Sequence, residues 1–262
     1  MTTVNDILQF VETLAPKHMA YEWDHVGLNC GHADAPVTKI LVALDPFSEA
    51  IAEAKAFGAQ LLVTHHALIW EGGFVNDQTA WGQNALTLIE NGIAHINAHT
   101  NLDCAPGGVN DTLAAALGLS QICVPNPMGQ DELGNPYGLL RVGTVPKQPL
   151  EQFLSHVKSA LGCDALRYVN SSRSVCRVAV GGGSCASDMM EAYHAGCDTF
   201  VTADIKYNQF REAYDLGMNL IDAGHFHTEN PVVMVLADKI QAAFPEIEVK
   251  ISQSHHDCMK FY

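Results

Sequence analysis

A short apolar run that ends in two adjacent histidines, Leu61-Leu62-Val63-Thr64-His65-His66, constrains this chain more than any other segment. Such a run predicts a buried strand, and successive side chains on a strand point to opposite faces. Two histidines at the point where a strand becomes a loop can therefore turn toward two different ions. The segment predicts a sheet that presents imidazole ligands at the end of one strand.

Two further groups of imidazole and carboxylate side chains each follow an apolar run of their own. One is Asp103, and the other is the pair His225 and Glu229, whose spacing of four places both on one face of a helical turn. Carboxylate and imidazole together suit divalent metals, so the three groups predict a site for two ions. The predicted ligands are His65, His66, Asp103, His225 and Glu229. Each group also has an alternative without a metal. His65 and His66 could be core or supporting histidines, Asp103 a turn residue, and His225 with Glu229 the start of a surface helix.

Two ions that share a water lower its pKa, and a reaction then needs groups that move protons or orient the substrate. The candidates for these roles are His99, Asp204, Lys206 and His227. The alternative for each is a structural or supporting role.

Other segments leave their role open. The run Gly181-Gly182-Gly183-Ser184 can present backbone N–H groups to an anion, or it is only a tight strand–helix turn. His227, His255 and His256 can join the metal site or lie outside it.

Charge and composition narrow the class of protein. The chain has 262 residues, 48% of them apolar, and a net charge of −15 that disfavours nucleic-acid binding. The eight cysteines contain no Cys-x-x-Cys pair, which is typical of reduced thiols in a cytoplasmic protein. The first residues lack a signal-peptide pattern, and no apolar stretch is long enough to predict a membrane span.

Strands alternate with helices along most of the chain, which predicts an α/β fold with parallel strands. The predicted helices are 4–14, 48–57 with Ser48 as N-cap, 81–91, 110–117, 149–161, 186–195, 206–216 and 231–243. The predicted strands are 40–44, 61–64, 93–98, 137–145, 165–169, 175–180, 199–202, 218–222 and 247–252.

The two α/β stretches resemble each other, because Gly58 to His66 aligns without gaps on Gly196 to Asp204. This predicts two similar α/β domains related by a pseudo-two-fold axis, with the metal site in the cleft between them. The loop 124–136 is rich in proline and glycine and predicts the boundary between a first half, 1–124, and a second half, 125–262. In an alternative arrangement, residues 231–262 return to the first half.

The ordered motifs of this chain resemble those of the NIF-three-like family, whose members are described as GTP cyclohydrolase 1 type 2 homologs or dinuclear metal centre proteins. The resemblance covers nearly the whole chain. The motifs that carry it are Trp23-Asp24-His25-Val26-Gly27-Leu28, Leu62 to His66, His99 to Asp103, Pro106 to Asp111, Thr202-Ala203-Asp204-Ile205-Lys206, and Gly224 to Glu229.

The resemblance implies two α/β domains, a dinuclear site of the same five ligands, and a toroidal homohexamer. It implies attack on the imidazole ring of GTP with release of formate. We therefore expect a cytoplasmic, metal-dependent hydrolase that uses two Zn, Fe or Mn ions on a nucleotide-like or other small substrate. The alternatives are a non-catalytic metal-binding or regulatory scaffold and a protein-interaction factor.

Overall fold

A computed structural model describes residues 1–70 and 74–262. These residues divide into two compact units. The first unit contains Met1–Ala105 and Val233–His256, and the second contains Pro106–Val232 and Asp257–Tyr262. Within the described ranges, no helix is both long and apolar enough to cross a membrane.

The helices of the described residues are α1 (Val4–Leu14), α2 (Ser48–Phe57), α3 (Ala80–Glu90), α4 (Thr100–Cys104), α5 (Val109–Ala116), α6 (Leu150–Leu161), α7 (Met189–His194), α8 (Tyr207–Leu216), α9 (His225–Glu229) and α10 (Pro231–Ala243). Two short 3₁₀ helices cover Lys17–Met19 and Ala186–Asp188.

The strands are β1 (Gly27–Cys30), β2 (Lys39–Ala43), β3 (Leu61–Thr64), β4 (Ala94–Asn97), β5 (Ser120–Cys123), β6 (Gly129–Gln130), β7 (Pro136–Tyr137), β8 (Arg141–Gln148), β9 (Arg167–Val169), β10 (Val175–Val180), β11 (Thr199–Thr202), β12 (Asn219–Asp222) and β13 (Glu248–Ile251).

The sheet of the first unit has the order β1-β4-β3-β2-β13. Strands β4, β3, β2 and β13 are parallel, and β1 is antiparallel to β4. All four residues of β3 and of β4 are buried, as expected of strands covered on both faces. Thr64 pairs with Asn97, so the segments that follow β3 and β4 leave the sheet at the same edge.

The ends of α2 illustrate how local chemistry sets the element boundaries. Gly58 ends the helix in the left-handed conformation with φ 72°, as predicted. The prediction that Ser48 is the N-cap is wrong: Phe47 occupies that position, and the Ser48 hydroxyl donates to the Glu49 carboxylate instead. Ser48 is therefore the first residue of the helix and not its cap, and its hydroxyl has the neighbouring carboxylate as a partner.

The sheet of the second unit has the order β5-β8-β10-β11-β12-β9. Its central strands β10, β11 and β12 are parallel, and the remaining pairings in the sheet are antiparallel. Thr202 pairs with Asp222, so the segments that follow β11 and β12 leave this sheet at one edge. The α/β fold class predicted from the sequence is thereby confirmed.

The boundary between the units lies at Ala105 and Pro106, earlier than the sequence predicts. The reason is the pairing of β5 with β8, which places the chain from Pro106 onward with the second sheet. Loop 124–136 therefore lies within the second unit and does not separate the two units. Strands β6 and β7 form a hairpin there. At the other end of the chain, β13 pairs with β2, as in the alternative arrangement of the C-terminal segment.

The two sheets share a local order of strands. In each, three consecutive parallel strands, β2-β3-β4 or β10-β11-β12, are followed by an antiparallel neighbour at the last strand. The strands that the sequence aligns, β3 and β11, occupy equivalent places in the two sheets, and so do β4 and β12. The pseudo-two-fold relation stays a prediction.

Candidate metal centre

His65 and His66 directly follow β3 and are held by their Nδ1 atoms. His65 is 1% exposed, and its Nδ1 lies 2.9 Å from the carbonyl oxygen of Ala98. Because a carbonyl oxygen only accepts, Nδ1 carries the proton and the lone pair stands on Nε2. His66 uses Nδ1 in the same way toward Oδ1 of Asp45, at 2.6 Å. An anchored Nδ1 that leaves Nε2 as the ligand is the usual state of a metal-binding histidine.

His99 joins these two residues. It follows β4, immediately before α4, and its Nδ1 lies 2.9 Å from Oδ2 of Asp24. The ligand nitrogens of His65, His66 and His99 all lie within 4.8 Å of one another. The pair at 65–66 stands beyond the pleated strand, so its rings are neighbours, with centroids 4.9 Å apart. Three imidazoles at this spacing could hold a metal ion.

Asp103 is brought to His65 by α4, a short helix that the sequence analysis did not predict. The helix is continuous with His99 through the N–H of Asp103, which donates to the His99 carbonyl oxygen at 3.0 Å. The Asp103 carboxylate is buried, and its Oδ1 lies 3.6 Å from Nε2 of His65. The first unit thus collects three of the predicted ligands, His65, His66 and Asp103, together with His99.

Asp24 and Asp45 are functional candidates that sequence reasoning missed as individual residues. Oδ2 of Asp24 accepts from His99 Nδ1, from the Thr100 N–H at 3.0 Å and from the Thr100 hydroxyl at 2.5 Å. Burial alone would raise the pKa of Asp24, but these hydrogen bonds outweigh it and lower the pKa to about 2. Asp24 is therefore ionised at neutral pH. The available signals were the Trp23-Asp24 motif and the position of Asp45 just after β2.

In the second unit, α9 places His225 and Glu229 on one face, as their spacing predicts. Nε2 of His225 lies 3.1 Å from Oε2 of Glu229, and Glu229 is only 3% exposed. Nδ1 of His225 lies 2.7 Å from Oδ2 of Asp204, so this histidine is also anchored through Nδ1. Asp204 itself follows β11 with a left-handed φ of 52°.

The loop Gly181-Gly182-Gly183-Ser184 confines Glu229. The N–H of Gly182 donates to Oδ1 of Asn110 at 2.7 Å, and the N–H of Gly183 donates to the Thr228 hydroxyl at 3.0 Å. These two donors serve protein oxygens, which favours the tight turn over the anion site. A methyl group at Gly183 would lie 2.0 Å from Oε1 of Glu229, so only glycine leaves room for that carboxylate.

The remaining candidates have other surroundings. His227 Nδ1 contacts the Leu161 carbonyl oxygen at 3.2 Å, and its Nε2 lies 3.5 Å from Asp257. His255 and His256 use Nδ1 toward the carbonyl oxygens of Ser252 and Ser254. Lys206 is exposed just before α8. The catalytic roles of Lys206 and Asp204 stay predictions.

The donor set fits a divalent metal. Four histidines (His65, His66, His99 and His225) each have Nδ1 hydrogen-bonded to an oxygen, so Nε2 is the ring nitrogen that could hold an ion. The nearby carboxylates Asp103 and Glu229 are buried. Nitrogen and oxygen donors suit Zn²⁺, Fe²⁺ or Mn²⁺.

Comparison with known proteins agrees with the motifs. The model of the Duf34/NIF3 (NGG1p interacting factor 3) family matches residues 2–258. A Clostridium perfringens protein named GTP cyclohydrolase 1 type 2 homolog is 32% identical, over 98% of this chain and 99% of that protein. A Streptomyces coelicolor protein of the same name is 36% identical, over 88% of this chain and 83% of its own length.

The fold gives the same result. The crystal structure of a Bacillus cereus protein related to NIF3 has a TM-score of 0.94 to this chain at 26% identity, and the match covers 100% of this chain and 99% of that one. HcgD from Methanocaldococcus jannaschii, in its reduced form, has a TM-score of 0.79 at 28% identity and is covered over 98%. The family model and the relatives agree along nearly the whole chain. The chain therefore belongs to the Duf34/NIF3 family.

Proposed function

We propose that this protein is a metal-dependent hydrolase that binds two divalent ions and acts on a nucleotide-like small substrate. The proposed ligands are His65, His66 and Asp103 from the first unit and His225 and Glu229 from the second. The observation that carries the proposal is that Nε2 of a histidine anchored through Nδ1 lies beside a buried carboxylate: Nε2 of His65 is 3.6 Å from Oδ1 of Asp103, and Nε2 of His225 is 3.1 Å from Oε2 of Glu229. A histidine that only fills a core has no need of a fixed tautomer that leaves Nε2 beside other ligands.

The chemistry follows from the metal and from the residues around it. When bound, a pair of divalent ions supplies Lewis acidity and lowers the pKa of a water that they share. Asp45 and Asp204 hold the protons on Nδ1 of His66 and His225, so that Nε2 would be the nitrogen that holds the ions. Asp24 holds the proton on Nδ1 of His99, which is not one of the proposed ligands. The lone pair on Nε2 of His99 can then accept a proton from water or substrate.

The substrate class rests on the relatives that bear the name GTP cyclohydrolase 1 type 2 homolog. For GTP, a first water would add to the imidazole carbon and open the ring to a formamide, and a second water would cleave that formamide to release the carbon as formate and leave an amine. We propose in addition a homohexameric assembly and a cytoplasmic location. Light scattering of the purified protein measures the number of subunits directly.

The test is reconstitution of the metal-free protein with Zn²⁺, Fe²⁺ or Mn²⁺, with metal content measured by mass spectrometry. Formate and phosphate release from GTP and from model phosphoesters are then followed. We expect His65→Ala to reduce both metal content and turnover by more than about tenfold. His32→Ala, which changes an exposed histidine of the same unit, is the matched control and should behave as wild type.

The alternative outcomes are distinct. Protein that holds two ions but hydrolyses no compound of a broad panel would support the non-catalytic metal-binding scaffold instead. Protein that holds no ion, or whose His65→Ala variant keeps full metal content, would refute the site itself.

A further inference from the structure

Two tryptophans border the histidine cluster of the first unit. Trp70 is 50% exposed, and its ring centroid lies 4.7 Å from that of His99 at an interplanar angle of 86°. It also lies 6.0 Å from the ring of His66. Trp23 is 62% exposed, and its centroid lies 6.1 Å from that of His99. Both indoles thus contact a residue of the cluster and keep much of their surface in water.

The position of Trp23 is built into the fold. The Asp24 carboxylate accepts from His99 and Thr100, and the N–H of Tyr21 donates to the Thr100 hydroxyl at 3.1 Å. Tyr21 stacks on Trp23 with an interplanar angle of 7°. Trp23 is therefore held between an anchored aspartate and a parallel ring. Holding a side chain in place before binding removes part of the entropic cost of association.

The exposed surface of the two indoles suits a planar ligand, because stacking a flat ring on an indole removes apolar surface from water. The two exposed indoles leave apolar surface in water beside the histidine cluster, so a ligand that covered this surface would gain free energy from its burial. A π-surface binds a planar ring by stacking, and it offers no specific contact to a phosphate group. Trp70 contacts His66, a proposed ligand, and both indoles contact His99. A ring stacked on them would therefore lie next to the proposed metal site.

We propose that Trp23 and Trp70 form an aromatic binding site for the planar heteroaromatic ring of the substrate, next to His99. This inference rests on the proposed function and narrows it: the part of the substrate that reaches the metal centre is its ring and not its phosphate chain. The ligand class is a nitrogen heteroaromatic such as a purine.

The test uses the metal-loaded full chain and three probes: guanosine, GTP and inorganic tripolyphosphate. Binding is measured by equilibrium dialysis and by quenching of tryptophan fluorescence. We expect Trp70→Ala and Trp23→Ala each to weaken guanosine and GTP binding about tenfold, a typical loss for one stacking partner. Tripolyphosphate binding and metal content should not change, and Trp70→Phe should restore most of the affinity. The chain has three tryptophans, so Trp81→Phe in α3 is the matched control.

Each result decides the inference. Equal weakening of GTP and tripolyphosphate, or unchanged guanosine binding in both alanine variants, would overturn it. Failure of the proposed function looks different. In that case guanosine still binds and still depends on Trp70, but no metal form hydrolyses any substrate. Conversely, GTP turnover that Trp70→Ala and Trp23→Ala leave intact would refute the aromatic site and leave the hydrolase standing.

Discussion

Gly183→Ala tests whether the turn after β10 holds Glu229 in place for a metal ion. The new methyl group would lie 2.0 Å from Oε1 of Glu229 and 3.0 Å from Nε2 of His225, where ordinary contacts begin at 3.4 Å. The carboxylate must therefore retreat by more than an ångström. The atom that meets the new methyl group is at the far end of the Glu229 side chain. We therefore expect the carboxylate to move and the backbone to stay in place.

The expected effect separates into two terms. Gly183 has a φ of 61°, so alanine there costs about 1–2 kcal/mol in the free energy of unfolding from backbone strain alone. Displacement of a ligand should weaken metal binding at least as much as loss of a group that only supports a ligand, about 10–100-fold. Urea unfolding of the metal-free protein measures the first term. Competition for Zn²⁺ with a chromophoric chelator measures the second.

Gly162→Ala is the matched control. Gly162 lies in the same unit with a φ of 68°, and a methyl group there would meet no atom within 4 Å. It should lose similar stability and keep full Zn²⁺ affinity. If both variants bind Zn²⁺ equally well, Glu229 is not a ligand that this turn confines, and the reasoning is wrong.

Two more predictions concern side chains that support others. Asp45→Ala removes the acceptor for Nδ1 of His66 and should weaken Zn²⁺ binding about 10–100-fold in the chelator assay, whereas Asp34→Ala in an exposed loop should have no effect. Glu53 accepts from the hydroxyls of Ser252 and Ser254; burial opposes ionisation, but these hydrogen bonds lower its pKa from 4.5 to about 2. Its contribution is therefore complete above pH 4.5 and is lost as the pH falls toward 2. The protection factors of the Gln253 and Ser254 amides against hydrogen exchange should fall over that range in the wild type and be low at all pH values in Glu53→Gln; unchanged protection in the variant would contradict this.

Local patterns in the sequence predicted much of the fold. Apolar runs of four to six residues became β3, β10 and β11 with the predicted bounds, and α1 and α10 also match. The helical spacing of His225 and Glu229 placed both on one face of α9. These features depend on neighbours within one or two turns, where periodicity and backbone preference act directly.

Local patterns could not predict features that depend on contacts between residues far apart in the sequence. β5 carries exposed residues and no clear alternation, so only its pairing with β8 assigns Ser120–Cys123 to the second unit. The short helix α4 contains five residues, too few for a periodic signal. Of the residues at the candidate centre, the sequence indicated His65, His66 and Asp103 by their position after strands.

By itself, the sequence indicated which side chains could hold a metal and which of them follow strands or lie on one helical turn. Only the tertiary structure decided how those side chains are oriented. Asp24 lies 75 residues from His99 in the sequence, and Asp45 lies 21 residues from His66. Their carboxylates nevertheless hydrogen-bond to Nδ1 of these rings and so fix which ring nitrogen carries the proton. Such contacts form because β2, β3 and β4 end at one edge of a parallel sheet, and no local pattern specifies which residues from separate loops will meet there.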